Sequence, residues 1–258
     1  MTLKKAYIRL SISIILMVTT IIFYAYSVSK LNLRWSLVGF SIGAILSIFS
    51  VLLSIHSVSH KSEIKNLNFF TKHRFEFLDW FTFLSVSMMS IFIIFMFFLL
   101  PSDVSQTSMY PTFEDGDRIL IYHYLYEPEI NDVVVIKMTV ENYPRVLGNI
   151  DDQTYFVKRI VAMPGDTITF ELSYGDVYQI LINGEVHKNL YGEIYYLRAY
   201  QKEDLEGDLI NGTVPQGQYM VFGDNQDGSQ DSRLFGPVYK EDIMGKVIYK
   251  LWPLGGVK

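Results

Sequence analysis

Cysteine is absent from the 258 residues, so no disulfide holds the fold and no zinc site built on thiolates is available. Acidic residues are scarce at the front. Of the 22 Lys/Arg and 27 Asp/Glu, 9 and 3 lie before Asp103, while 13 and 24 lie from Asp103 onward, giving that part a net charge of −11. A domain so charged repels a phosphate backbone, which excludes nucleic acid as a partner. Charge is missing altogether from three apolar stretches, Leu10 to Val28, Trp35 to Ile55 and Trp80 to Leu100.

Each of those stretches has about the 20 residues that a helix needs to cross roughly 30 Å of hydrocarbon. Trp35, Trp80, Tyr24 and Tyr26 sit near their ends, where amphipathic aromatics favour the interface. The expected architecture is therefore a membrane domain over residues 1–101, with spans at about 10–28, 35–55 and 80–100. A second domain follows over residues 102–258. Lys4, Lys5 and Arg9 precede the first span, and Lys61, Lys65, Lys72 and Arg74 occupy the second loop, against only Lys30 and Arg34 in the first. The positive-inside rule then leaves everything after Pro101 on the extracytoplasmic side. Lys4/Lys5, the apolar run and Ser27-Val28-Ser29 together resemble a cleavable secretory signal. An uncleaved anchor is the preferred reading.

Three local patterns in this half lack the context their chemistry needs. Gly39-Phe40-Ser41-Ile42-Gly43 matches a nucleophile elbow but lies mid-span, where a small-residue helix-packing face is the simpler account. Ser27-Val28-Ser29-Lys30 matches S-x-x-K without its companion motifs. His56 and His60 are four apart, yet no third metal ligand stands near them. No metal and no cofactor is called for.

After Pro101 the pattern changes to short β-branched and aromatic runs. Arg118 to Tyr124, Asp132 to Met138, Tyr155 to Ala162, Asp166 to Leu172, Tyr178 to Ile182, Tyr219 to Phe222 and Gly245 to Leu251 read as strands. Asn183-Gly184 is a two-residue hairpin signal, because both turn positions need positive φ. A mainly antiparallel β domain is expected. Between about residues 188 and 217 the strand rhythm weakens and Glu203, Asp204, Glu206 and Asp208 accumulate, which reads as a variable surface insertion. Asn211-Gly212-Thr213 is formally a glycosylation sequon and reads as a turn. No internal repeat is visible.

Three segments carry chemistry. Ser105-Gln106-Thr107-Ser108-Met109-Tyr110-Pro111-Thr112 directly follows the third span. Tyr155 to Asp166 reads Tyr-Phe-Val-Lys-Arg-Ile-Val-Ala-Met-Pro-Gly-Asp, and Gly223 to Pro237 reads Gly-Asp-Asn-Gln-Asp-Gly-Ser-Gln-Asp-Ser-Arg-Leu-Phe-Gly-Pro. In this order, behind a membrane span, they resemble the bacterial type I signal peptidases (leader peptidases), from the third span to the C-terminus.

That resemblance implies a membrane-bound serine endopeptidase with a β-rich catalytic domain, removing signal peptides from exported preproteins at the cell membrane. Carried over by motif position, Ser108 is the nucleophile and Lys158 the general base. Ser229 hydrogen-bonds the lysine, and Asp231 and Arg233 support the site as a salt bridge. Family specificity implies cleavage after small-x-small, Ala-x-Ala-like sequences. The partners are exported preproteins and the lipid bilayer. The lysine-type motif and the Ile/Phe/Tyr-rich composition suggest a Gram-positive bacterium. Gln106 departs from the small residue usual two places before the nucleophile, as Asn131 does from the glycine that often precedes the aspartate at 132.

The chemistry stands apart from the name. A serine hydroxyl needs a base to accept its proton, and Ser-Lys is a variant of the same logic as the familiar triads. A free lysine with a pKa near 10.4 leaves only about one molecule in a thousand neutral at pH 7, so burial must lower it. Phe156, Val157, Ile160 and Met163 supply apolar neighbours, and Arg159 should alternate to the other face of its strand. The Ser108 N–H is the natural first oxyanion donor, and the Gln106 amide is available as a second. An extended substrate would add as a strand near Val104 to Gln106 and Phe156 to Lys158. Val104, Met109 and Val157 are candidate pocket walls and equally candidates for ordinary core.

Two rivals differ in class. A non-catalytic, signal-peptidase-like chaperone of surface pilus assembly would lack the Ser108/Lys158 pair. A soluble self-cleaving repressor would carry a DNA-binding helix-turn-helix in place of an apolar N-terminal half.

Overall fold

The computed structural model of the chain describes residues 98–146 and 153–257, together with scattered helical positions within 8–18, 45–52 and 80–94. The chain divides into two units, Met1–Phe98 and Leu99–Lys258. In the first, several described helical positions are apolar and face outward, among them Ile15, Ile45 and Trp80. Among the described residues no helix is long and apolar enough to cross a membrane. The three expected spans, Gly39 to Gly43, Ser27 to Lys30, His56 and His60 lie wholly or largely outside the described residues.

The second unit is a mainly antiparallel β domain. Its strands run β1 (Leu99–Asp103), β2 (Arg118–Tyr122), β3 (Val133–Thr139), β4 (Gln153–Ala162), β5 (Ile168–Tyr174), β6 (Val177–Ile182), β7 (Glu185–Val186) and β8 (Tyr196–Arg198). After helix α1 (Ala199–Asp208) come β9 (Gln218–Phe222), helix α2 (Ser232–Phe235), β10 (Val238–Tyr239), β11 (Ile243–Trp252) and β12 (Gly255–Gly256). The larger sheet is ordered β1-β2-β11-β3-β4-β9-β10, with β12 on β11. The smaller has β5-β6-β7, with β8 on β6. All these pairs are antiparallel.

β3 shows why the larger sheet forms. Its run Val133 to Ile136 is buried at every position, as a strand covered on both faces requires. Val133 and Val135 enter a cluster with Val104, Met109, Phe113, Ile119, Ile121 and Val247. Val134, Ile136 and Met138 enter a second with Tyr143, Ile160, Val221 and Phe235. Each fully buried valine or isoleucine contributes about 1.5–3 kcal/mol, so β3 ties the two cores together. At the Asn183-Gly184 turn φ is +52° and +84°, and Ile182 faces Glu185 across the hairpin. Asn131 at φ +69° takes the left-handed conformation that asparagine tolerates better than most residues.

Two features differ from expectation. The chain is already extended at Leu99, inside the stretch expected as the third span. β1 is the edge of its sheet, where Pro101 needs no donor. The segment 188–217 is not merely a surface insertion. Tyr195, Leu197, Leu205, Leu209 and Val214 are buried in a third core with Ala162, Ile168, Ile180 and Phe222. Its acidic residues Glu203, Asp204 and Glu206 occupy only the outer side of α1. Asn211-Gly212 is a turn, with φ +53° and +75° and Ile210 bridged to Thr213.

Candidate active site

Ser108 sits in a short turn between β1 and β2. Thr107 O accepts from Tyr110 N at 3.0 Å, and Met109 O from Phe113 N at 2.9 Å. Met109 anchors the turn by being fully buried in the core beneath it. Asn225 holds it from the other side, its N–H donating to Ser108 O at 3.1 Å and its Nδ2 to Thr107 O at 3.0 Å. Gly223 lets the two segments approach, because a Cβ there would lie 2.4 Å from Ser108 O and 2.2 Å from Ser229 Oγ. No larger residue fits.

Lys158 lies on β4 opposite Val134. Its Nζ is 2.8 Å from Ser108 Oγ and 3.0 Å from the carbonyl oxygen of Val157. The residue is 3% exposed. Burial, the largest influence, together with the charge of Arg233, lowers its pKa from 10.5 to about 8 against the opposing charges of Asp231 and Asp224. About one lysine in ten is then neutral at pH 7. Because the native pKa lies below the unfolded value, the unfolded chain binds this proton more readily. The site's cost to stability is therefore absent above pH 10.5 and fully present below pH 8. Lys158→Met should accordingly raise the unfolding free energy read from urea titration in neutral buffer, by on the order of 3 kcal/mol. That advantage should fade as the pH is taken above 10.

Asp231 and Arg233 form a bidentate pair, Nε to Oδ1 at 2.9 Å and Nη2 to Oδ2 at 2.8 Å. Asp231 also accepts from Gly223 N at 3.1 Å and caps α2 through Arg233 N. Burial pushes its carboxyl up, but the charge and hydrogen bonds of Arg233 outweigh that and hold it below the usual carboxylate range. The guanidinium stacks over Tyr195 and Phe222, at 5.3 and 5.6 Å, and donates to Gln226 O at 2.9 Å.

A second buried pair was given no role from the sequence. Arg159 Nε and Nη2 donate to Asp224 Oδ1 and Oδ2 at 2.8 and 2.7 Å. Thr112 Oγ1 also donates to Asp224, and Asn189 Nδ2 donates to the Asp224 carbonyl. Tyr191 OH meets Thr112 Oγ1 at 3.1 Å, and Tyr195 OH donates to Gly223 O at 2.8 Å. Segment 188–217 thus braces the loop that carries Asp224, Asn225 and Asp231. Arg159 beside Lys158 and Asp224 in the Gly223 segment were visible as opposite charges in two site motifs, the one signal that pointed to this pair.

Other expected residues stand differently. Ser229 Oγ is buried and forms no hydrogen bond among the described residues, so the expected bond to Lys158 is not made; the hydroxyl lies packed toward Gly223. Val104 and Met109 are sealed in the core at 4% and 1% exposure, which leaves Val157 alone of the three candidate walls with open surface. The Val104 backbone is also occupied, its N–H by Asp117 O and its carbonyl by Gly116 N. Gln106 is exposed, at φ +76°, and its N–H donates to Asp115 Oδ1 at 2.8 Å. The Val104 and Gln106 N–H groups are therefore already engaged within the domain. On β4, by contrast, β9 begins pairing only at Arg159, so 153–158 lack a neighbour on that side among the described residues.

Residues 77–252 match the family model described as signal peptidase, peptidase S26, which is more than half of the chain. Signal peptidase IB of Staphylococcus aureus is 28% identical over 201 residues, covering 71% of this chain and 93% of that one. Thylakoidal processing peptidase 1, chloroplastic, of Arabidopsis thaliana is 31% identical over 158 residues, 59% of this chain and 42% of that one. A crystal structure of a signal peptidase I from Enterococcus faecalis V583 matches at 25% identity and a TM-score of 0.31, covering 47% of this chain and 97% of that one. The chain belongs to the signal peptidase family, peptidase S26. Its class of activity is that of a serine endopeptidase removing signal peptides.

Proposed function

We propose that the chain cleaves exported preproteins at the outer face of a membrane through a Ser108–Lys158 dyad and an acyl-enzyme. The observation that carries this reading is the 2.8 Å approach of Nζ to Oγ, with the amine's pKa brought down to about 8. Ser108 Oγ attacks the scissile carbonyl carbon while neutral Lys158 takes the hydroxyl proton. The tetrahedral oxyanion is met by the Ser108 N–H, which donates to no acceptor among the described residues, and by the Gln106 amide as second donor. Collapse expels the amine of the mature chain, which takes the proton from Lys158. A water, deprotonated by the same lysine, then hydrolyses the ester and returns Ser108. Asp231 and Arg233, held together as a bidentate pair, support the site around the lysine.

Substrate docks by strand addition along the free side of β4 at Tyr155 and Val157. Small side chains suit a site whose neighbours Val104 and Met109 are already packed shut, which supports small-x-small specificity. Three spans in residues 1–101 tether the domain, a reading that rests on their uncharged length and on the outward apolar positions Ile15, Ile45 and Trp80.

Incubating the detergent-solubilised chain with a preprotein and sequencing the new N-terminus tests the reading. The expected cut follows a small-x-small triplet, and the rate should climb with pH through a midpoint near 8. A cut elsewhere, or a rate that falls over that range, would count against it.

A further inference from the structure

β4 carries both the proposed base and the proposed docking edge, and one atom belongs to each. In an antiparallel ladder a residue gives its N–H and C=O to one neighbour, and the next residue gives both to the opposite side. Ile160 faces the β3 side: its N–H donates to Asp132 O at 2.9 Å and its carbonyl accepts from Asn131 N at 3.0 Å. Lys158 and Phe156, in register with Val134 and Ile136, share that direction. Val157 and Tyr155 face the other way, as Arg159 does toward Phe222 of β9. Since β9 pairs no farther along and no other described strand pairs there, the Val157 carbonyl points into an edge that is open among the described residues. There it meets Lys158 Nζ at 3.0 Å.

We propose that the Val157 carbonyl is a substrate-operated latch on the catalytic lysine. While the edge is empty it holds the ammonium form, and an added substrate strand claims it through a backbone N–H, leaving the amine free to accept the Ser108 proton. The proposal rests on the strand-addition reading above.

An ammonium is donor-only, whereas a neutral amine must turn its lone pair toward the serine hydroxyl. A carbonyl in hydrogen-bond range therefore favours the charged form. The other groups facing the amine are Ser108 from the turn after β1, the Phe156 ring at 5.0 Å on its own strand, and Asp224, Asp231 and Arg233 from the loop and helix after β9. Asp224 and Asp231 favour the ammonium and Arg233 opposes it. All three are locked in bidentate pairs. The one polar partner of the amine that strand addition itself engages is the Val157 carbonyl.

The test uses the full chain in detergent and capped peptides without titratable groups, with a small-x-small sequence before the cleavage point. In a set of variants, each backbone N–H preceding that point is replaced in turn by an ester oxygen. Single-turnover rates at saturating and at limiting concentration give the pH profiles of the bound and the free enzyme. For the all-amide peptide the acidic midpoint of the saturating profile should lie about one unit below that of the limiting profile, equivalent to about tenfold more neutral lysine in the acidic range. One ester should abolish that offset. Desolvation by substrate is alike for amide and ester, so the comparison isolates the carbonyl. If esters raise KM while the offset persists in all of them, the latch is wrong and strand addition stands. If no ester changes KM, strand addition fails and the latch with it. Coincident midpoints for the all-amide peptide overturn the latch outright.

Discussion

Ser108→Ala, Lys158→Ala and Lys158→Arg should each slow single-turnover cleavage of a preprotein by about ten thousand-fold, and the double alanine variant should be no slower than either single one. In the proposed mechanism the two side chains, 2.8 Å apart, act as one proton-transfer unit, so removing either abolishes the same step. Lys158→Arg retains the charge and much of the length but fails as a base, because a guanidinium does not deprotonate in proteins. Near-ultraviolet circular dichroism should be preserved in Ser108→Ala, since Ser108 is only half-buried and the core anchor of its turn is Met109. Full cleavage by any of these variants would end the dyad assignment. Equal loss from all of them with an altered spectrum would report unfolding, which the denaturation midpoint of each variant distinguishes.

The strands longest in sequence were the ones legible beforehand, because alternation and β-branching leave a pattern only over several residues. β2, β3, β4, β5, β6, β9 and β11 all overlap runs read from the sequence, with ends shifted by at most two positions. β8, β10 and β12 have two or three residues each and carry no period at all. α1 was missed for a different reason. Leu205 is its one buried residue, so its sequence shows no apolar stripe. The acidic outer side of that helix masked the buried Tyr195, Leu197 and Leu209 around it, and a braced wall of the site read as a solvent-facing insertion.

At the site, motif order pointed to the side chains now found together, while packing decided how they meet. The strand period correctly put Arg159 on the face away from Lys158, but the period does not say that the far face is buried too, or that Asp224 waits there. Likewise Val104 and Met109 are apolar residues beside a nucleophile, which suits a pocket wall or a core equally. Their neighbours Phe113, Ile119 and Val247, distant in sequence, make them core. Ser229 was placed on the lysine by its position in the motif. In the fold its hydroxyl packs against Gly223, whose missing side chain provides the space.

The buried Asp231–Arg233 pair should give the largest change in stability and, for the two partners, opposite changes in pH dependence. Asp231→Asn leaves a guanidinium that is 6% exposed without its counter-charge, and Arg233→Met leaves a carboxylate that is fully buried. Each should lower the unfolding free energy by about 3–5 kcal/mol at neutral pH, whereas Asp231→Leu combined with Arg233→Met should recover most of it, because the desolvation cost of both charges disappears together. The native contribution of Asp231 follows from its depressed pKa: it is present above the unfolded carboxyl value and lost as the pH falls through the native one. The Arg233→Met penalty should therefore shrink in acid. The lysine reports the same charges independently of folding. Asp231 favours the ammonium and Arg233 disfavours it, so the acidic limb of cleavage should move to lower pH in Asp231→Asn and to higher pH in Arg233→Met. Urea titrations and pH–rate profiles on the same preparations measure both effects. Limbs that shift in the same direction would mean that neither charge is felt at Lys158, and that the pair only holds α2 against the loop bearing Gly223.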